Sequence, residues 1–71
     1  MELIFEIRDA EEGGFHARAL GHAIFTEAGT WGELRVNVLE AVSWHFEHLK
    51  VRPGLVRMHY VGDELFTLEA V

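Results

Sequence analysis

The chain predicts a small α+β fold of order β-β-β-α-β-β, an antiparallel-rich sheet with one helix packed on one face. Three observations point there. Short stretches at both ends alternate apolar and polar at period two, as half-buried strands do. Only Thr30 to Leu49 carries apolar residues at three- and four-residue steps, as an amphipathic helix does. Glycine-bearing breaks separate the segments.

Leu3 to Arg8 alternates, with Leu3, Phe5 and Ile7 on one face and Ile4, Glu6 and Arg8 on the other. Asp9 to Gly14 breaks the pattern with acids and two glycines, and reads as a hairpin loop. Phe15 to Leu20 resumes the alternation, placing Phe15, Ala17 and Ala19 inward and His16 and Arg18 outward. The two alanines let a helix backbone approach the sheet. Gly21-His22 turns into a third strand, Ala23 to Glu27, where alternation leaves open whether Ile24 or Phe25 faces the core.

Thr30 and Glu33 have capping-box spacing at the start of the helix. Trp31, Leu34, Val38, Ala41, Val42, His45 and Leu49 line one side of it, while Val36, Leu39, Trp44 and Phe46 widen the apolar band. Pro53 ends any helical continuation. Leu55 to Val61 alternates again, with Val56, Met58 and Tyr60 inward, Gly62-Asp63 reads as a tight hairpin link, and Glu64 to Ala70 as a last strand.

At 71 residues the chain is a single domain, 1–71, and one this small buries only about 60% of its unfolded surface. There are no cysteines, hence no disulfide or thiolate staple, and oligomerisation is the expected supplement. Ile4, Leu20, Trp44 and Phe46 are the candidate contacts of a homodimer or higher oligomer. Hydrophobic residues make up 49% of the chain, too many for a disordered tail. No apolar run reaches the roughly 20 residues of a membrane span, and the acidic N-terminus is unlike a signal peptide, so a cytoplasmic protein is expected.

Net charge is −6, which disfavours direct nucleic-acid binding, since phosphate contacts need clustered cations. The acidity serves solubility and suits a basic partner. The bare sheet face would carry Glu6, Arg8, His16, Arg18, Arg57, His59, Thr67 and Glu69. The chain has five histidines, but His45 and His48 lack a third ligand at any metal-site spacing, and no metal or cofactor is expected. Without cysteine, and with Ser43 on a helix surface, nucleophilic catalysis has no candidate. The alternative is a vestigial nuclease or a small-molecule or metal-binding domain using Glu6, His16, His59 and Glu69 on the open face.

Asp9 to Phe15, Ala19 to His22, Gly29 to Leu34 and Asn37 to Ala41 together resemble the N-terminal domain of HicB-type antitoxins, in its short solitary form. The resemblance runs over residues 3–47 and rests on the order of an acidic diglycine loop, a glycine turn and a capped helix. Ala19 stands at the family's proline-like position. It implies a degraded ribonuclease H-like fold, self-association, and a non-enzymatic domain that masks a small basic RNA-cleaving toxin. Asp9, Glu11 and Glu12 in the loop, with Glu40 and Glu47 on the helix, would face such a partner. The family's DNA-binding module would follow where this sequence stops at Val71, so operator repression is not expected.

Overall fold

A computed structural model describes residues 1–63 and 66–68. The elements follow in the order β1 (Glu2–Asp9), β2 (Phe15–Ala19), β3 (Phe25–Ala28), α1 (Trp31–His45) and β4 (Leu55–Tyr60). Among the described residues the molecule is a small α+β fold: a four-stranded mixed sheet of order β3-β2-β1-β4, with one helix on it. β1 pairs antiparallel with β2, and β2 with β3, through short turns. The chain then crosses from one edge of the sheet to the other through α1, so β4 runs parallel to β1. Such parallel pairing needs a long connection, which the helix supplies.

The core forms from the alternation. Leu3, Phe5 and Ile7 of β1 and Ala17 and Ala19 of β2 are buried against Leu34, Val38, Val42 and Phe46. α1 packs over β3 and β2, where the two alanines leave room for its backbone. Ile24 takes the inward position just before β3, at 6% exposure, and Phe25 stands out at 60%, opposite Arg18 on the open face.

Thr30 caps α1: its Oγ1 accepts from the Glu33 backbone N–H at 3.2 Å, satisfying one of the orphan donors of the first turn. The helix stops at His45, four residues short of the expected Leu49. Phe46 is its C-cap at φ −102° and ψ 10°, and the Arg52 guanidinium folds back to donate to the Glu47 carbonyl at 2.8 Å. Leu49 is consequently exposed rather than on the core face.

Three rings gather at this end of the helix, with His22 5.4 Å from Phe46 and 5.7 Å from His45. Phe46 is 4% exposed and belongs to the core, so it is no subunit contact. The expected strand Glu64 to Ala70 falls partly outside the described residues, which omit 64–65 and 69–71; the part described, Phe66 to Leu68, is exposed and not in a strand.

Candidate functional site

The residues singled out by sequence fall on three separate surfaces. The first is the loop between β1 and β2. Gly13 and Gly14 adopt φ +98° and +80°, which turns the chain tightly. A Cβ on Gly14 would run into the Ala28 carbonyl oxygen, so the loop closes directly on the end of β3. Asp9, Glu11, Glu12 and Glu27 thereby surround a shallow basin of about 770 Å³, with His16 at its edge. Asp9 accepts a hydrogen bond from the Tyr60 hydroxyl at 2.7 Å, and this bond, with some burial, raises the Tyr60 pKa. Tyr60 packs edge-on against Phe15 and Trp31, which ties the loop to the start of α1.

The second surface is the solvent side of α1. Leu39, Glu40, Ser43, Trp44, Glu47 and Arg52 line a groove of about 390 Å³. Trp44 is 76% exposed, and Leu39 in the same groove is exposed as well. Glu40 lies nine residues beyond Trp31, roughly 13 Å along the axis at 1.5 Å per residue. The loop acids and the helix acids are therefore two patches and not one.

The third surface is the open sheet face. The register places Phe25, Arg18, Glu6 and His59 in one cross-strand row, and Glu27, His16 and Arg8 in the next. Glu6 is already engaged: Arg8 Nε donates to its Oε1 at 2.7 Å. That bond and the charge of Arg8, with smaller help from Arg18 and His59, hold the Glu6 carboxyl below its ordinary range. Glu2 is likewise held down by its hydrogen bond from Arg57, at 2.6 Å.

Of the alternative site, His59 stands opposite Glu6, His16 stands opposite Arg8, and Glu69 lies outside the described residues. No group of three or more metal-binding side chains occurs among the described residues. Ile4 and Leu20 adjoin on this same face, joined by the Leu20 N–H to Ile4 carbonyl bond at 2.8 Å, whereas Trp44 is on α1, between the groove of Leu39 and Glu40 and a shallow hollow shared with Phe25 at the β3 edge. No described helix is long and apolar enough to cross a membrane.

Sequence reasoning missed two features. Asn37 Nδ2 donates to the Glu27 carbonyl at 3.0 Å, tying α1 to the outer edge of β3. Phe46 continues the four-residue steps Leu34, Val38 and Val42, so the signal for its burial is present in the sequence, while His45 and Leu49 are exposed.

No family model matches the chain, and no solved structure matches it. Two curated relatives do. A UPF0150 protein of Archaeoglobus fulgidus is 49% identical over 45 residues, covering 63% of this chain and 67% of that protein. A UPF0150 protein of Thermotoga maritima is 32% identical over 62 residues, covering 87% of this chain and 86% of the relative. On that likeness, which spans strands and helix alike, the chain belongs to the UPF0150 family.

Proposed function

We propose that the chain is a non-enzymatic interaction domain of the HicB-like kind. It is cytoplasmic, forms a homodimer, and masks a small basic protein of the RNA-cleaving toxin type. The observation that carries this reading is the groove on the outer side of α1, where Trp44 is 76% exposed beside Leu39 and between Glu40 and Glu47. An exposed indole is costly to leave in water and is a frequent energetic centre of protein interfaces. Its face also attracts Arg and Lys, and the neighbouring carboxylates favour the same cations. The acidic basin of Asp9, Glu11 and Glu12 provides a second, separate contact for a basic chain.

A pull-down from native lysate at low salt tests this. A small basic protein is expected, lost at high salt, and weakened when Trp44→Ala or the pair Glu40→Gln and Glu47→Gln is the bait. Recovery of the bait alone, or capture indifferent to all three substitutions, overturns it. The nuclease or ligand-binding alternative has less support, because Arg8 already occupies the Glu6 carboxylate it would use. Incubation with RNA and magnesium or manganese separates the two readings. The interaction domain leaves the RNA intact, whereas cleavage abolished by Glu6→Gln would establish a nuclease.

A further inference from the structure

The two edges of the sheet are treated differently. β3 is a four-residue edge, and Asn37 already satisfies the carbonyl of Glu27 there. β4 is six residues long and pairs only with β1 among the described residues. The Val61 N–H donates to the Ile7 carbonyl at 2.7 Å, which fixes the phase of the parallel ladder. Positions 55, 57, 59 and 61 turn their backbone groups toward β1. Val56, Met58 and Tyr60 therefore aim their N–H and C=O groups outward, off the edge. An exposed row of this kind is a template for another strand.

The helix face tells the same story from above. α1 lies over β3 and β2, so β4 emerges from beneath it. Val56 and Met58 sit at the margin of the core, half-buried, and Tyr60 is exposed with its ring turned back toward Phe15 and Asp9. On the opposite face, Arg57 reaches back over β1 to Glu2, which draws its charge away from the edge.

We propose that β4 is a self-pairing edge: two copies join β4 to β4 antiparallel, about a two-fold axis through Met58. This rests on the homodimer in the proposed function and names its seam. The register follows from the backbone. A two-fold perpendicular to the sheet keeps both helices on one face and pairs Met58 with its own counterpart and Val56 with the partner's Tyr60. All three outward-facing residues then have their N–H and C=O groups bonded, as in an antiparallel ladder. Centring the axis on Arg57 would oppose two guanidiniums and leave Tyr60 unpaired. The Met58 register instead sets Met58, Val56 and Tyr60 of both copies side by side, on the strip that α1 leaves uncovered, and joins two four-stranded sheets into one. The seam is isologous, as a closed dimer requires.

The chain has no cysteine of its own, which makes the test clean. Opposed residues in a hydrogen-bonded antiparallel pair have Cα atoms about 5.5 Å apart, inside the roughly 4.4–6.8 Å a disulfide spans. Met58→Cys is expected to form a covalent dimer of two 8.1 kDa chains on mild oxidation. It should do so about tenfold or more faster than Ser43→Cys on the outer side of α1, the advantage of a preformed pair. Amide hydrogen exchange on the unmodified protein gives a second readout, with Val56, Met58 and Tyr60 gaining protection as concentration rises from micromolar to millimolar. A monomeric mass at millimolar chain overturns seam and homodimer together. A dimer whose β4 amides exchange freely overturns the seam and leaves the homodimer standing. Protection of these amides in a protein whose mass is monomeric at the same concentration means the chain's own segment fills the edge, and overturns the seam as well.

Discussion

Trp44 and Phe46, two positions apart at the end of α1, meet opposite environments. Phe46 follows Val42 by one four-residue step and is 4% exposed, in contact with the His22 ring, while Trp44 points away into solvent. Truncating a buried Phe removes its transfer free energy and leaves a cavity, so Phe46→Ala is expected to cost about 3–5 kcal/mol. Trp44→Ala should change stability by roughly 0.5 kcal/mol or less, as an exposed position does. Urea unfolding midpoints of the two variants compare these directly, and equal losses would refute the assignment of Phe46 to the core.

The ion pairs of the open face give a second test, in pH. Arg8 and Arg57 hold the carboxyls of Glu6 and Glu2 below their ordinary pKa when folded. Each contributes stability that is present above the unfolded value, roughly 4.3, and lost as pH falls through the folded value. Glu6→Gln and Glu2→Gln should therefore flatten the acid side of the stability curve and leave its neutral-to-alkaline slope alone. Tyr60 has the opposite sign. Its pKa is raised by the bond to Asp9, so its contribution holds below about 10 and is lost as pH rises through the folded value. Tyr60→Phe should remove that alkaline loss, as pH-dependent melting would show.

The loop and the helix show how far local pattern carries. Alternation placed Leu3, Phe5 and Ile7 inside, and the small residues Ala17 and Ala19 marked where the helix lies; all five are buried. Thr30 caps as its spacing implies, and the diglycine turns the chain at positive φ. The helix end was less legible, because apolar residues continue past His45 and nothing in their spacing marks Phe46 as the C-cap; the Arg52 bond to the Glu47 carbonyl holds the turn that follows. The Ile24 and Phe25 ambiguity was similar in kind. Two adjacent apolar residues at a strand entrance satisfy either phase, and only the pairing with Arg18 selects one.

The diglycine supplies a prediction at this scale. Both glycines have positive φ, but a methyl on Gly13 meets open space, whereas one on Gly14 meets the backbone of Ala28 and Gly29. Gly13→Ala should cost about 1–2 kcal/mol for the backbone alone. Gly14→Ala should cost clearly more, and thermal unfolding that ranks them the other way would refute the loop's closure on β3.

For the whole molecule, the fold class and the single covering helix were readable, since one amphipathic segment among alternating strands leaves few arrangements. The sheet order was not. The placement of β4 beside β1 depends on a crossover between distant segments, and no local alternation distinguishes it from a hairpin on another edge. The candidate site was legible in its residues but not in its grouping. The acids at Asp9 to Glu12 and those at Glu40 and Glu47 share a charge, yet the length of α1 holds them apart.

A sheet covered on one face, a helix with an aromatic, acid-rimmed outer side, and an open face whose Glu6 and Glu2 are engaged by Arg8 and Arg57 together favour company over catalysis. Native mass spectrometry of the protein isolated from its own host at low ionic strength tests that account most directly. The account predicts two 8.1 kDa chains bound to a smaller basic protein, released as salt is raised. A single chain carrying a small ligand or a metal ion, with no protein bound, would contradict it.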